Sequence, residues 1–305
     1  MEQREYIVEA EGAGQRIDRF LSGEDTGLSR SALQGLVAEG LVLCNGKAPA
    51  KSLKLKAGDI ILLEIPDAKP IEAVPQEIPL DIIYEDAHLL VVNKPKGMVV
   101  HPAPGNPDGT LVNALLWHCK GSLSGIGGEI RPGIVHRIDM DTTGVIIACK
   151  NDMAHNSIAA QLKEHSITRR YQAIVHGVLK DDAGTVEGPI GRHPTDRKKM
   201  SINYNNGKSA VTHYKVLKRF RQYTHVECRL ETGRTHQIRV HMASIGHPLL
   251  GDLVYGPGKC PIPGLQGQTL HAGVLGFIHP RTGEYMEFTA PLPEYFAKLL
   301  NTLPE

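Results

Sequence analysis

Residues 133–144 read GIVHRIDMDTTG, and the interpretation of this stretch decides the fold of the chain. Two aspartates, Asp139 and Asp141, stand one residue apart behind His136 and Arg137, and two threonines and a glycine follow. Three interpretations are open: a metal-binding acidic pair, a carboxylate placed for catalysis, and a turn between two strands. Each requires a different arrangement of strands around the aspartates.

The metal interpretation rests on a likeness to the nucleophile loop of haloacid-dehalogenase-like phosphatases, where a magnesium ion lies between two carboxylates. That loop follows a buried parallel strand, which is normally a continuous apolar run. Here His136 and Arg137 directly precede Asp139, and only Ile134 and Val135 are apolar. Octahedral oxygen sites also need further ligands, for which the sequence offers no clear candidates. A metal site is therefore disfavoured.

A turn explains the second half of the stretch, because Asp and Thr side chains bond to their own backbone in turns and glycine permits positive φ. The same interpretation explains His136 and Arg137 poorly, and it leaves Asp139 without a role. Asp139 is therefore the candidate for chemistry. The residues that a turn does explain are Asp141, Thr142, Thr143 and Gly144.

A chain of 305 residues exceeds what one core usually organises, so a small and a large domain are predicted. In the first segment, Ser29 is predicted to cap a helix that ends at Gly40, and Asn45-Gly46 predicts a tight hairpin turn. The segment at 66–79 contains four prolines and resembles a linker. The predicted division is a small helix–hairpin domain at 12–72, a linker at 73–79 and a large domain at 80–305.

Long strand segments with few helices characterise the large domain. Helices are predicted near 111–118 and 153–165, and the chain closes with two strands around Thr282-Gly283. Further strands are predicted at LDIIYED, HLLVVNKP, RRYQAIVHGVL, SAVTHYKVLKRF and YTHVECRLET. Because regular βαβ alternation is absent, the predicted fold class is α+β with a large mixed, mainly antiparallel sheet.

The formal net charge of +1 gives no global sign of a polyanionic partner. Between Arg192 and Arg221, however, nine basic residues stand against one acid, Asp196, and such a local surface can hold phosphates. A solvated loop explains the same residues equally well. The five cysteines lack a C-x-x-C pair, and no apolar run approaches the ~20 residues that span a bilayer. A cytoplasmic protein without a signal peptide is predicted.

The stretch at 232–248, TGRTHQIRVHMASIGHP, has the apolar spacing of a helix, with Thr235 predicted as its N-cap and Gly246 at its end. Arg239 would then lie in the first turns, where a cation is electrostatically unfavourable, so we expect it to serve a specific anion. His236 and His241 are five residues apart and do not share a helical face, which disfavours zinc.

Two further features have plain structural interpretations. Tyr171 lies on a predicted strand face with Ala173 and Val175, and a core tyrosine is the simplest explanation. Lys94-Pro-Lys-Gly97 lacks the Gly-x-x-x-x-Gly-Lys-Ser/Thr pattern of a phosphate loop, so nucleotide binding is not predicted.

Taken together in this order, HRIDMDTTG, RRYQAIVHG and GRTHQIRVHMASIGHPLLGD resemble the motifs of RluA-type pseudouridine synthases, from about residue 80 to the C-terminus. The segment QRIDRFL…GLSRSALQGLVAEGLVLCNGK is similar to the S-four RNA-binding domain. Together with NKPKGMVVHPAPGNPDGTLVNALL, it looks most like the RluD branch, which modifies large-subunit (23S) ribosomal RNA. The resemblance implies an isomerase of RNA uridine that requires no cofactor and no metal.

The resemblance also implies roles for single residues. Asp139 matches the catalytic aspartate, which acts at the ribose C1′/C2′ region so that uracil detaches, rotates and rejoins through C5. Arg239 matches the arginine that pairs with this aspartate, and Tyr171 the tyrosine that packs against uracil and is placed to assist removal of the C5 proton. Arg137 matches the residue that enters the RNA helix as the uridine flips out. Further predicted RNA contacts are His136, Arg30, Lys47, Arg234, His236, Arg197, Lys198 and Lys199.

Two alternatives stay open. The substrate could be another RNA, such as tRNA, in place of free or assembling large-subunit ribosomal RNA. The protein could also be a non-catalytic RNA-binding or ribosome-assembly factor, for which the first domain would suffice. The joint presence of Asp139, Tyr171 and Arg239 argues against lost catalysis. A monomer without a membrane partner is expected.

Overall fold

The structure of the protein is a computed structural model that describes residues 2–24, 26, 30–50, 53–65, 73–103, 105–126, 131–196 and 199–305. The chain divides into two compact units, Met1–Pro70 and Ile71–Glu305. Ser29, predicted as a helix cap, lies outside the described residues, as do Arg197 and Lys198. Within the described ranges, no helix is long and apolar enough to span a membrane.

The smaller unit consists of a three-stranded antiparallel sheet and two helices, among the residues described. In chain order these are β1 (Glu2–Ile7), α1 (Ile17–Gly23), α2 (Arg30–Ala38), β2 (Val42–Cys44) and β3 (Ile60–Ile65), with sheet order β1-β3-β2. Asn45 and Gly46 both have positive φ, so the predicted tight turn is confirmed. Strand β1 was not predicted: it precedes residue 12, yet it pairs with β3 along its whole length.

The larger unit contains four helices and eleven strands in its described part. The helices are α3 (Leu111–Cys119), α4 (Asp152–Lys163), α5 (Gln237–Ser244) and α6 (Glu294–Thr302). The strands are β4 (Ile82–Glu85), β5 (Leu89–Lys94), β6 (Thr143–Cys149), β7 (Thr168–His176), β8 (Ala183–Glu187), β9 (Ile190–Arg192), β10 (Met200–Ile202), β11 (Val211–Arg219), β12 (Tyr223–Leu230), β13 (Leu270–Ile278) and β14 (Tyr285–Thr289).

Nine of these described strands form one sheet in the order β4-β5-β6-β13-β7-β12-β11-β8, with β14 attached to β13. Every pairing in it is antiparallel except that of β6 with β13, which is parallel. Strands β9 and β10 form a separate antiparallel ribbon. The prediction of an α+β protein with a large mixed, mainly antiparallel sheet is confirmed.

The large sheet is covered on both faces, at least over β5 and β6. Leu90 of β5 packs in an apolar cluster with Leu115 of α3, whereas its neighbour Val91 packs in another cluster with Ile158 of α4. Because successive strand residues point to opposite faces, α3 and α4 lie on opposite sides of the sheet. Tyr171 belongs to the cluster on the α3 side, and this is the face that carries the site.

The segment predicted as a linker, 73–79, is hydrogen-bonded to the larger unit. Asn113 of α3 donates from Nδ2 to Val74 O at 2.7 Å and accepts at its backbone oxygen from Gln76 N at 3.0 Å. Gly109 N donates to Gln76 Oε1 at 2.7 Å. These bonds hold an irregular, proline-containing segment against the N-terminus of α3.

Candidate active site

Asp139 lies in the turn that precedes β6. Thr142 N donates to Asp139 O at 3.0 Å, which closes the turn, and Thr143 already belongs to β6. The predicted turn was therefore too long at its C-terminal end. Gly144 has a φ of 108° inside the strand, and a Cβ there would collide with the backbone of Ala272 in β13. Glycine thus permits the close parallel approach of β6 to β13.

Lys94 supports this turn from the interior of the protein. Its side chain is fully buried, and Nζ donates to Pro95 O and Met98 O at 2.8 Å and to Met140 O at 2.9 Å. The Lys-Pro-Lys-Gly motif therefore anchors backbone carbonyls around Asp139, a function that sequence reasoning did not assign to it.

Arg239 is the third residue of α5, and its side chain is almost completely buried. Its Nη1 donates to Asp139 Oδ2 at 2.9 Å, while Nε and Nη2 donate to the two carboxylate oxygens of Asp252 at 2.6 and 3.0 Å. Burial alone would lower the pKa of Arg239, but both carboxylates outweigh it and raise the pKa above its usual value. The anion expected near this helix N-terminus is thus a pair of aspartates.

Asp252 is a site residue that sequence reasoning missed, although it closes the motif GHPLLGD. It is 2% exposed, and its Oδ1 also accepts from the backbone N–H groups of Val254 and Tyr255 at 2.9 and 3.1 Å. Burial would raise the pKa of Asp252, but the hydrogen bond and charge of Arg239 lower it overall. An aspartate directly after Leu-Leu-Gly was the available sequence signal, since a carboxylate in an apolar stretch needs a partner.

The start of α5 differs from the prediction. Thr235 is not the N-cap: His236 holds that position with a left-handed φ of 56° and makes no side-chain cap hydrogen bond, while Gln237 Oε1 accepts from Arg234 N at 2.9 Å. In this left-handed conformation, Nε2 of His236 lies 3.8 Å from Asp139 Oδ1. Its Nδ1 contacts Tyr255 Oη at 2.7 Å. The predicted helix end at Gly246 is confirmed by its positive φ.

Tyr171 lies in the middle of β7, paired to β12 on one side and β13 on the other. It lines a pocket of about 50 Å³ together with Asp139, Arg239 and the apolar side chains of Leu230 and Leu270. Burial raises the pKa of Tyr171, so its phenol is neutral near pH 7. The pocket therefore offers a carboxylate beside an aromatic and aliphatic surface.

Arg137 is exposed and lines the same pocket. His136 instead faces the sheet, where its Nε2 accepts from Ile147 N at 3.1 Å. Burial, with help from the charge of Arg169, lowers the pKa of His136 to about 4, so the ring is neutral and fixes the Asp139 turn to β6. Arg234 lines the pocket as well, and its Nε donates to Ser209 O at 3.0 Å.

Among the described residues of the larger unit, Lys199 is another predicted RNA contact, and it does not line this pocket. Lys199 lies 4.0 Å from Asp196. Within the smaller unit, Arg30 donates from Nε to Asp18 Oδ2 at 2.8 Å, and Lys47 is exposed beside the hairpin turn. In the described part of the chain, no group of three or more His, Cys, Asp or Glu residues is arranged to hold a metal ion.

Comparison with known proteins places these residues in a family. The family model for RNA pseudouridylate synthase matches residues 88–244. The uncharacterized RNA pseudouridine synthase YlyB of Bacillus subtilis is 52% identical over 303 residues, which cover 99% of both chains. Ribosomal large subunit pseudouridine synthase D of Zymomonas mobilis is 49% identical over 99% of this chain and 98% of that protein. The protein of the same name from Pseudomonas aeruginosa is 45% identical, covering 99% and 96%.

A solved structure gives the same result at lower similarity. Human RNA Pseudouridylate Synthase Domain Containing 1 superposes with a TM-score of 0.57 at 26% identity, over 78% of this chain and 99% of that one. Asp139, Tyr171 and Arg239 all lie within the part that the family model matches. The chain belongs to the RNA pseudouridylate synthase family, whose members isomerise uridine in RNA.

Proposed function

We propose that this protein converts specific uridines of large-subunit ribosomal RNA to pseudouridine, with Asp139 as the catalytic carboxylate. The choice of substrate is supported by the names of the relatives from Zymomonas mobilis and Pseudomonas aeruginosa, which are nearly full-length matches. The observation that carries the catalytic assignment is the buried series Asp252–Arg239–Asp139, which ends in the pocket lined by Tyr171.

Asp139 is held so that one oxygen remains available for the substrate. Oδ2 accepts from Arg239 at 2.9 Å, whereas Oδ1 lies 3.8 Å from Nε2 of His236. Oδ1 would act at the ribose, either on C1′ or on the C2′ proton. The N1–C1′ bond breaks, uracil rotates, and a C5–C1′ bond forms. The proton leaves C5 and N1 gains one, so atoms and charge balance without an oxidant or a reductant.

Entry of the base requires that the uridine leave its helix. A pocket as narrow as the one at Asp139 cannot admit a stacked, paired base, and extrusion costs a few kcal/mol. Arg137, exposed at the pocket, would fill the space that the uridine vacates. The neutral phenol of Tyr171 would then pack against the uracil ring, as aromatic side chains do with unstacked RNA bases.

The smaller unit is proposed to be an S-four-like RNA-binding domain within residues 12–72, followed by a short connection at 73–79. Its helix–hairpin order and the exposed Lys47 beside the turn support this assignment. Contacts from such a domain to phosphates supply affinity without reading sequence. The five free cysteines fit a reducing compartment such as the cytoplasm.

Pseudouridine mapping in cells with and without the gene tests the function. We expect one or more pseudouridines in large-subunit ribosomal RNA to disappear on deletion and to return with the wild-type gene but not with Asp139→Asn. In vitro, Asp139→Asn should lower turnover by at least about 10³-fold and leave RNA binding within about threefold, because the lost group acts only in the reaction.

Asp141→Asn is the matched control, since it removes the neighbouring carboxylate of the same turn and should retain most activity. Equal losses for the two variants would favour the paired-carboxylate interpretation. Pseudouridines that disappear only from tRNA would refute the ribosomal substrate, and a fully active Asp139→Asn variant would refute the mechanism.

A further inference from the structure

A second cavity adjoins the pocket at Asp139. It has a volume of about 480 Å³, roughly tenfold larger than the pocket of about 50 Å³, and both are lined by Arg137, Tyr171, Leu230 and Arg234. Because the two spaces share these walls, a molecule that occupies the cavity lies directly beside whatever occupies the pocket. None of the proposed steps of uridine isomerisation uses this cavity.

The cavity is strongly cationic. Among the described residues that line it there is no aspartate or glutamate, and His101, His136 and His165 add further polar groups. Cations that converge on one cavity without acids repel one another, and they create a local potential that attracts anions. The arginines and lysine that line it are Arg131, Arg137, Lys163, Arg169 and Arg234.

Arg169 is the buried member of this group. It is 6% exposed, while the other four are half-buried or exposed. Its Nη2 donates to Glu231 O at 2.9 Å, but its Nε has no hydrogen-bond partner within the described part of the chain. Arg239 is equally buried and is bound by two carboxylates. Burial lowers the pKa of Arg169, whereas the two carboxylates around Arg239 raise the pKa of that residue in spite of its burial.

We propose that this cavity is a second substrate subsite, which binds a phosphodiester next to the target uridine, with the Arg169 guanidinium as its buried anchor. The inference rests on the proposed function and adds to it a contact to the RNA backbone. Guanidinium groups bind phosphate oxygens in a two-pronged geometry, and a phosphodiester would supply the counter-charge that the described lining residues do not. The shared walls make the RNA strand itself the source of that anion.

The position of Arg169 on β7 supports this assignment. Arg169 and Tyr171 are two residues apart on one strand, so their side chains leave the same face of the sheet. The intervening Arg170 leaves the opposite face, where its Nη2 pairs with Glu287 at 2.8 Å, although its Nε too has no hydrogen-bond partner among the residues that the structure describes. One rigid strand would therefore fix both the uracil and a neighbouring phosphate.

Salt-dependent binding tests the subsite. The probe is a fragment of large-subunit ribosomal RNA that contains a uridine whose modification requires the gene, bound to the full chain carrying Asp139→Asn to prevent turnover. Adding Arg169→Gln should weaken binding about 5- to 30-fold. It should also reduce the slope of log K against log salt by about 0.7 to 0.9, the value for one phosphate contact.

Arg170→Gln is the matched control, because it neutralises the adjacent arginine on the other face and should leave the slope unchanged. Equal slopes for the Arg169→Gln variant and its parent would overturn the inference. If Arg169→Gln does not fold, Arg131→Gln takes its place, because Arg131 is exposed on the wall of the cavity. An unchanged salt slope for this variant would overturn the inference in the same way.

Neutral methylphosphonate linkages on either side of the uridine identify the phosphate. The parent protein should bind the RNA more weakly when one particular linkage is neutral. The Arg169→Gln variant should bind the RNA equally well with and without that neutral linkage. Equal sensitivity of both proteins at every linkage would contradict the subsite. Absence of any gene-dependent pseudouridine would refute the proposed function instead; unchanged slopes on an RNA that is modified refute only the subsite.

Discussion

Arg239 can orient Asp139 because Asp252 first orients Arg239. A free arginine side chain has about 2 kcal/mol of rotamer entropy, and a bidentate contact removes much of that freedom. The two bonds to Asp252, at 2.6 and 3.0 Å, leave Nη1 directed at Asp139 Oδ2. We infer that Asp252 is a positioning residue, which acts on the reaction through Arg239.

Replacing Asp252 with Asn tests this role. The amide keeps the shape of the side chain but cannot accept from both guanidinium nitrogens, so Nη1 should drift from Asp139. Displacement by ~1 Å can lower turnover by about 10²-fold, and we expect a 10- to 100-fold loss in kcat. KM should stay within about threefold, because Asp252 does not line the substrate pocket. Steady-state pseudouridine formation measures both, and a raised KM with unchanged kcat would contradict the assignment.

The residues proposed to act in the reaction could be grouped from sequence, whereas the residues that support them could not. The order of three motifs suggested that Asp139, Tyr171 and Arg239 share a site, and the structure brings these residues to one pocket. The left-handed conformation of His236 was not foreseeable, because a non-glycine residue adopts it only when tertiary contacts impose it. Asp252 was missed although it follows the apolar Leu-Leu-Gly, because the sequence does not show that its partner is Arg239, thirteen residues earlier.

At the scale of elements, Lys94 joins the end of β5 to the turn before β6. Its Nζ donates to Met98 O on one side and to Met140 O on the other. The Lys94 side chain therefore holds the turn that contains Asp139 against the end of β5. Gly144 completes the arrangement, since it lets β6 approach β13.

Lys94→Met should destabilise the larger unit and misplace the turn. The variant removes three hydrogen bonds and leaves Pro95 O and Met98 O without this donor, whereas Met140 O still accepts from Gly97 N at 3.0 Å. At about 1 kcal/mol for each lost hydrogen bond, the expected loss is about 3 kcal/mol. Urea unfolding followed by the fluorescence of Trp117, the single tryptophan, measures this change in the larger unit. Lys96→Met is the control, because Lys96 makes longer contacts of 3.4 to 3.5 Å and should cost far less. Equal losses for the two variants would argue against the anchoring role.

Elements with a strong periodic pattern were predicted, and short elements were not. The long strands β7, β11, β12 and β13 and the helices α3 and α4 lie where their apolar patterns indicated. Strands β8, β9 and β10 have three to five residues each and little alternation, so they exist only through pairing with neighbours. Helix α6 is an exception: Phe296, Leu299, Leu300 and Leu303 recur at i, i+3, i+4 and i+7, a helical period that was overlooked.

At the scale of the whole molecule, each unit has a core of its own. The smaller unit buries Leu21, Leu33, Ile61 and Leu63, among others, in a cluster that lies entirely within the first 65 residues. A small apolar core gives limited stability, so a single polar contact can account for a large part of the unit's free energy of unfolding. Asp18 makes three such contacts: it is 2% exposed and accepts from Arg16, Arg30 and Gln34 at 3.0, 2.8 and 2.6 Å.

Asp18→Asn should therefore destabilise the smaller unit selectively, by about 2 kcal/mol at pH 7, because two half-exposed arginines lose their shared carboxylate. Hydrogen exchange followed by mass spectrometry should show faster exchange in peptides from residues 2–65 and no change in those from 73–305. Glu39→Gln, which removes an exposed carboxylate of the same unit, is the control and should leave both sets unchanged.

The effect of Asp18→Asn should also depend on pH in a defined direction. Burial alone would raise the pKa of Asp18, but the hydrogen bonds from Gln34, Arg30 and Arg16 hold it well below its usual range. A depressed pKa means that the carboxylate stabilises the fold fully above its unfolded pKa of about 3.9, and that this stabilisation is lost as the pH falls towards the folded pKa. The difference between wild type and variant should therefore be constant from pH 7 to 5 and shrink below pH 4. If the difference in unfolding free energy between wild type and variant stays constant down to pH 2, the charge of Asp18 contributes nothing. The loss would then come from the changed shape and hydrogen bonding of the side chain.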